Sequence, residues 1–357
     1  YKYNSTSEKL YFMGAIQMFQ TELIIYLQSL GTQCFTFLMI LITTMGSSSF
    51  LVAIIIIAIF GVDFKKGFLL FQLLLWTGLV TDILKILVAF PRPDFVDNRV
   101  LNLESGIKNT SPFSMNEPKS IFALPDKQIL KAFRLQEAFT LSPFGFPSGH
   151  VALMTALWGG SAIVFNKRII RILTPLLIVV MAFSRVYLGR HFIEDVLGGA
   201  IVGLILLVIF THFLKSPLKD DFFKKENFEF VFRRQNLLFY FFMFVIPIIF
   251  IALSLVSADV AGVFLGTNVA YVLIIRKGIP DDTGSAAQRT TRVFIALLLL
   301  GVSSLILDFW FKTAGTTNYL QFTLIGFLKT FIPASTIWAS VAVCTKLDLY
   351  RRDKGSL

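Results

Sequence analysis

The sequence predicts an all-α fold, a polytopic membrane bundle of about nine transmembrane helices. Three observations lead to it. Hydrophobic residues fill 55% of the 357 positions and charged residues only 15%, where a soluble domain carries roughly 25% charge. The mean hydropathy is +0.73. Apolar runs long enough to cross a bilayer as a helix recur along most of the chain. The 39 phenylalanines suit lipid-facing and interhelical packing. A net charge of +11 would suit nucleic acid, but the basic residues sit in short segments between apolar runs. There they act as orientation signals, and no nucleic-acid partner is expected. Cys34 and Cys344 lie far apart inside apolar runs and imply neither a disulfide framework nor a metal cluster. The sequence opens on Tyr1, so residues upstream are expected, and no cleavable signal peptide is expected downstream of it.

The elements are taken in order. Residues 1–13 are polar and expected to fray. Residues 14–30 mix apolar positions with Gln17, Gln20, Glu22 and Gln28, and read as an interfacial helix on the membrane surface. Residues 33–60 are apolar but interrupted by Gly46-Ser47-Ser48-Ser49. They form either one long span with a soft middle or a half-helix followed by a span, and one span is the preferred reading. Asp63, Lys65 and Lys66 close it. A second span covers 68–90, with Asp82 and Lys85 near its far end. Pro91-Arg92-Pro93 stops that helix, since proline cannot continue it and restrains the residue before it. Residues 94–147 are a long polar loop with one weakly helical piece, 126–140, and loops of this length are usually functional or disordered. Further spans are expected at 149–166, 172–188, 191–214, 237–255, 260–275, 293–311 and 320–344. Between them lie a charged segment, 215–235, and a linker, 276–291, with Gly278, Pro280, Asp281, Asp282 and Gly284; a basic tail, 346–357, closes the chain. No internal repeat is visible, which counts against a transporter built from repeated halves. Asp308 and Lys329, inside the last two spans, are expected to pair across the helices.

Alternation of spans divides the connections into two sides. Lys65, Lys66, Lys167, Arg168 and Arg171 share one side with the basic residues of 215–235, with Arg276, Lys277, Arg289 and Arg292, and with the basic tail. The short connections of the other side hold little beyond Arg190 and Lys312. Positive-inside bias places the first set in the cytoplasm. The long loop and the stretch Ser184–Asp195 then face outward, toward the periplasm, the exterior or a lumen.

That stretch reads Ser-Arg-Val-Tyr-Leu-Gly-Arg-His-Phe-Ile-Glu-Asp, a dense set of charges between two apolar runs, where charge is expensive. If a helix starts near His191, Asp195 lies one turn along on the same face. A carboxylate there can hold one ring nitrogen and leave the other free to react. Two more segments share its side and depth: Lys85-x6-Arg92-Pro93 and Pro147-Ser148-Gly149-His150. Of the three histidines, His150 and His191 lie here, while His212 reads as structural. The set suits phosphoryl transfer, which needs charge stabilisation on phosphoryl oxygens, an in-line nucleophile and an acid for the leaving oxygen. Lys85, Arg92 and Arg185 supply cations, Ser148 a hydroxyl, and the amides of Gly149 and His150 open a helix where an anion is favoured. His191 is the candidate nucleophile, Asp195 its orienting carboxylate and His150 the candidate general acid. No metal site is indicated, so the cations stand where a metal would. Each motif also has a structural reading: Lys85 paired with Asp82, Arg92-Pro93 as a helix stop, and Pro147-Ser148 as a helix start with Ser148 as N-cap. Those readings leave unexplained why both histidines, the cations and a helix N-terminus share one face.

Lys85-x6-Arg92-Pro93, Pro147-Ser148-Gly149-His150 and Ser184-Arg185-x5-His191-x3-Asp195 together resemble the three-part signature of the type 2 phosphatidic acid phosphatase superfamily. That superfamily includes lipid phosphate phosphatases, glucose-6-phosphatase and vanadium haloperoxidases. The resemblance covers roughly residues 68–214 and implies a six-helix-type phosphatase core. It implies that His191 forms a phosphohistidine oriented by Asp195, that His150 protonates the leaving group, and that Lys85, Arg92, Ser148, Gly149 and Arg185 bind phosphate. It also implies hydrolysis without metal or other cofactor. The expected division is 1–60 as interfacial helix and first span, 61–235 as catalytic core, and 236–357 as a four-span extension. A phospholipid or isoprenoid (pyro)phosphate is the expected substrate, in contact with membrane lipids. Sugar-phosphate hydrolysis and lipid phosphotransfer are the rivals within the class. A non-catalytic phosphate-binding membrane protein or a transporter is the rival outside it.

Overall fold

The computed structural model describes residues 21–88, 90–106, 144–229, 233–253, 255–313 and 319–350. The expected helical piece at 126–140, the polar residues 1–13 and the tail beyond 350 lie outside the described residues. Within them the protein is all-α, and each segment expected to span the membrane is helical. Seven helices are long and apolar enough to cross a bilayer; residues 33–62 are a bent pair, and Gly149–Phe165 is a shorter apolar helix.

The elements are α1 (Glu22–Ser29), α2 (Gln33–Thr44), α3 (Ser48–Ile56), α4 (Phe64–Val88), α5 (Gly149–Phe165), α6 (Arg168–Tyr187) and α7 (Ile193–Lys215). They continue with α8 (Arg234–Ala252), α9 (Ala258–Lys277), α10 (Ala286–Thr313) and α11 (Tyr319–Lys346). The described residues fall into two compact units, one drawn from Tyr1–Phe50 and Trp76–Val208, the other from Leu51–Leu75 and Ile209–Leu357.

In the first unit, a helix within the stretch 14–30 is present as α1 over the described residues. The amide of Gln28 fixes it: Nε2 donates to Leu101 O (2.8 Å) and Tyr187 O (3.1 Å), and Oε1 accepts from Leu101 N (3.0 Å). The stretch 33–60 is not one straight span. Helix α2, capped by Thr32 on Phe35 N, stops at Thr44; α3 restarts at Ser48, with a bend of 53° between the pair. Serines and a glycine, poor helix propagators, supply the break. Helix α5 packs on α6, and Thr174 Oγ1 donates to Trp158 O at 3.2 Å. Helix α7 lies against the start of α5 through Gly199 and Gly203, four residues apart and so on one face. A Cβ at Gly199 would sit 2.4 Å from Ser148 O, and one at Gly203 2.6 Å from Thr155 Cβ. Only hydrogen fits there, so the glycine seam fixes how close the start of α5 stands to α7.

In the second unit, α9 and α11 pack closely along Gly262 and Gly266, whose added Cβ atoms would meet Thr330 and Phe331. Tyr271 stacks between Phe68 (4.2 Å) and Phe222 (4.6 Å), and its hydroxyl donates to Phe222 O. Buried Asn268 donates to Met243 O (2.8 Å) and accepts from Gln72 (2.7 Å). Lys329 and Asp308 pair at 2.9 Å, as their placement in facing spans suggested. Helix α10 starts seven residues before the apolar run beginning at Val293. Ser285 and Gln288 form a reciprocal capping box: Ser285 N donates to Gln288 Oε1 (2.9 Å) and Gln288 N to Ser285 Oγ (3.2 Å). The helix can therefore begin on polar residues, which hydropathy alone does not see.

Candidate active site

The site lies in the first unit, where four chain segments meet. Helix α4 ends at Val88 with Lys85 in its last turn. Arg92 is the N-cap of a one-turn helix, Pro93–Val96, and has extended backbone, the shape that the proline after it demands. The two ends of the long loop are tied side by side: Pro91 bridges Phe144, and Gly145 N donates to Phe90 O at 2.7 Å. Lys85 Nζ donates to Phe144 O at 3.3 Å, a hydrogen bond that crosses to the far end of the loop.

Ser148 then opens α5. Its backbone N donates to Asp195 O at 2.8 Å, which joins this segment to the first turn of α7. The N-cap role expected for its side chain is absent. Ser148 Oγ makes no cap bond, is fully buried and has no hydrogen-bond partner among the described residues. The amides of Gly149 and His150 begin the helix beside it, and Gly149 lies against the Lys85 stem.

His191 sits in the connection between α6 and α7, before Ile193. Its Nδ1 lies 3.3 Å from Asp195 Oδ2, and the same oxygen accepts from Phe192 N at 2.9 Å. Both side chains are buried. Arg185, in the last turn of α6, donates Nη1 to Thr43 Oγ1 (2.6 Å) and Glu104 Oε2 (3.1 Å). Arg92 donates to Arg190 O at 3.3 Å, and Arg190 pairs with Asp94 at 3.2 Å.

Burial is the first cause acting on His191. The positive groups Arg92, Arg185 and Lys85 act in the same direction, so its pKa falls well below the usual imidazole value. The ring is therefore neutral at neutral pH, with a lone pair available. Burial, then Arg190 and Arg185, lower Arg92 to about 9. Burial raises the Asp94 carboxyl against the pull of Arg190 and Arg92. Burial opposes ionisation of Glu104 too, but Arg185 outweighs it and the carboxyl stays below its ordinary value. Besides Ser148 Oγ, Arg92 Nε and Arg185 Nε are buried without a hydrogen-bond partner among the described residues. Each such group costs about 1–3 kcal/mol, more when charged. A concentration of them around a neutral imidazole is a site shaped for an anion with several oxygens.

The structure thus brings together Lys85, Arg92, Ser148, Gly149, His150, Arg185, His191 and Asp195. It adds residues that sequence reasoning did not place: Thr43, Glu104, and the Asp94–Arg190 pair that supports Arg92. Arg190 adjoins His191 and Asp94 comes just after Arg92-Pro93, so proximity to a motif was a usable signal for both. Thr43 and Glu104 carry none. His212 is exposed near the end of α7, outside this cluster.

Fold and site together define a helical membrane protein with a buried, cation-lined histidine centre. Comparison with known proteins agrees. The PAP2 superfamily matches residues 66–218. Phosphatidylglycerophosphatase B of Bacillus subtilis (strain 168) is 30% identical over 178 residues, which is 48% of this chain and 71% of that protein. No solved structure gives a significant match. The chain belongs to the PAP2 superfamily.

Proposed function

We propose that this protein is an integral membrane phosphatase that hydrolyses a lipid phosphate or lipid pyrophosphate through a phosphohistidine, without a metal, on the non-cytoplasmic side. The observation that carries the reading is the buried His191–Asp195 pair, 3.3 Å apart, in the field of Arg92, Arg185 and Lys85. Asp195 holds Nδ1, so Nε2 is the nucleophile. It attacks phosphorus, the bond to the leaving oxygen breaks, and His150 gives that oxygen a proton. Water then attacks phosphorus, giving a proton back to His150; the phosphorus–nitrogen bond breaks and inorganic phosphate leaves. Lys85, Arg92, Arg185, Ser148 and the amide of Gly149 hold the phosphoryl oxygens throughout. These cations take the part a metal plays elsewhere.

Two observations favour a lipid. The relative is named for a phospholipid phosphate, which makes phosphatidylglycerophosphate a candidate alongside phosphatidate. The helix that begins beside His191 also presents Ile193, Leu197 and Ile201 outward, a face suited to acyl chains. The catalytic core is proposed over 61–235, flanked by 1–60 and by the extension 236–357.

The test is phosphate release from purified protein in detergent, with and without His191→Ala. The substitution should abolish turnover; retained turnover overturns the phosphohistidine at His191, and a wild type that binds the substrates without turning any of them over is a binding protein. Orthovanadate should inhibit, and excess chelator should leave the rate intact. A rate lost to chelator and restored by a divalent cation refutes metal independence. Turnover across phosphatidylglycerophosphate, phosphatidate, sphingosine phosphate, polyprenyl pyrophosphate and glucose phosphate identifies the substrate.

A further inference from the structure

Residues 33–50 lie before the part of the chain that matches the family, and no sequence motif marks them. The structure nevertheless builds them into the site. Helix α2 ends in a tight turn: Met45 N donates to Ile42 O (3.1 Å), Gly46 N to Thr43 O (3.0 Å) and Ser47 N to Thr44 O (3.0 Å). Two contacts leave this turn for the cluster. Thr43, buried, accepts from Arg185 Nη1 at 2.6 Å, a shorter bond than the one that guanidinium makes to Glu104. Gly46 lies flat against the second histidine: a Cβ there would fall 2.6 Å from His150 Cδ2, 3.1 Å from Cγ and 3.2 Å from Cβ. The turn also presents the negative end of α2 to two groups that carry positive charge in the reaction.

We propose that the turn 43–47 is a fourth part of the active site, in which Thr43 is a positioning residue for Arg185 and Gly46 walls the leaving-group side. The inference rests on the phosphatase reading above. Arg185 has its Nη1 engaged by Thr43 and Glu104, which leaves Nε, without a partner among the described residues, for an anion. Glu104 is one-third exposed and holds the guanidinium from the open side, whereas Thr43 holds it from within. His150 must reach the oxygen that departs, so the alcohol on that oxygen lies beside His150. The backbone at Gly46 touches the same ring. Glycine is required because any side chain would push the imidazole off that line.

Two substrates separate these roles. p-Nitrophenyl phosphate loses an acidic phenol that departs without a proton; phosphatidate in mixed micelles loses an alkyl alcohol that needs one. The reading is kcat/KM, which reports the steps up to the phosphohistidine. Gly46→Ala should lower kcat/KM on phosphatidate by about 30-fold or more and on p-nitrophenyl phosphate by less than about threefold, the signature of an acid out of line. Thr43→Val should lower kcat/KM on both by about tenfold and weaken orthovanadate inhibition in parallel, and Thr43→Ser should restore both. The ratio between substrates does not depend on how much of a variant is folded. An unchanged ratio in Gly46→Ala, or a Thr43→Val enzyme with wild-type vanadate inhibition, overturns the inference. If His191→Ala stays active on both substrates, the phosphohistidine reading on which this inference rests fails. If His191→Ala is dead and the turn variants match wild type, only the fourth-part assignment fails.

Discussion

In the proposed mechanism His191 has to be neutral to attack phosphorus, and its surroundings keep it so. Burial and the positive neighbours Arg92, Arg185 and Lys85 hold its pKa well below the usual imidazole range. The acid limb of kcat/KM is therefore expected below about pH 6.5, the ordinary imidazole value, and Arg92→Gln, which removes the strongest of those charges, should move it upward. A limb above about pH 7 in the wild type would contradict the assignment. Ser148 makes a second, sharper case. An N-cap serine that caps its helix costs about 1 kcal/mol to replace with alanine. Here Oγ does not cap the helix and has no partner among the described residues. Ser148→Ala should leave the Tm in detergent within about 1 °C of wild type while raising KM for phosphatidate several-fold. A fall in Tm with KM unchanged would return Ser148 to a purely structural role. Lys85 teaches a related point: the sequence offers Asp82 three residues back, yet the ammonium reaches Phe144 O, a partner 59 residues away.

Among the elements, the seam between α5 and α7 decides whether the second and third motifs meet at all. Gly199 and Gly203 let the α7 backbone touch Ser148, Thr155 and Ala152. Gly203→Val should destabilise the protein by about 1–3 kcal/mol, since overpacking forces the helices apart, and the loss is read as a lower Tm with reduced turnover. A neutral Gly203→Val would mean that the seam is looser than its contacts imply. The long helices were legible from apolar runs, but their ends were not, nor were the short helices Pro93–Val96 and Leu218–Phe222 in polar segments. Helix α10 begins at a capping box inside a polar stretch, and α2 stops where Gly46 and three serines interrupt a run that hydropathy reads as continuous. In both places short-range polar bonding outweighs hydropathy.

At the scale of the whole molecule, charge sets orientation. The basic residues cluster in alternate connections, and the proposed topology puts them in the cytoplasm and residues 91–106 outside. Ser105 is exposed in that outer segment. In a background with Cys34 and Cys344 replaced, Ser105→Cys should react with a membrane-impermeant maleimide applied from outside to intact cells or right-side-out vesicles. Labelling only after permeabilisation would invert the orientation while leaving the chemistry of the site untouched. The second unit carries no motif of the site. Its tight α9–α11 seam and the Asp308–Lys329 pair show how glycines and paired charges hold helices where lipid offers no hydrophobic drive between them.

Composition and local pattern by themselves determined that this is a helical membrane protein and which apolar runs form its long helices, and they singled out the three short motifs proposed to carry phosphoryl chemistry. Hydropathy, proline stops and the spacing of His191 and Asp195 are properties of neighbouring residues, so they are written in the order of the chain. Tertiary structure alone decided that Thr43, Gly46 and Glu104 stand among those motifs, that Arg190 leans on Asp94, and that Ser148 leaves its helix uncapped. Those facts depend on which helix backbones approach closely enough to touch, and a contact between residues far apart in the chain leaves no mark on either one's neighbours.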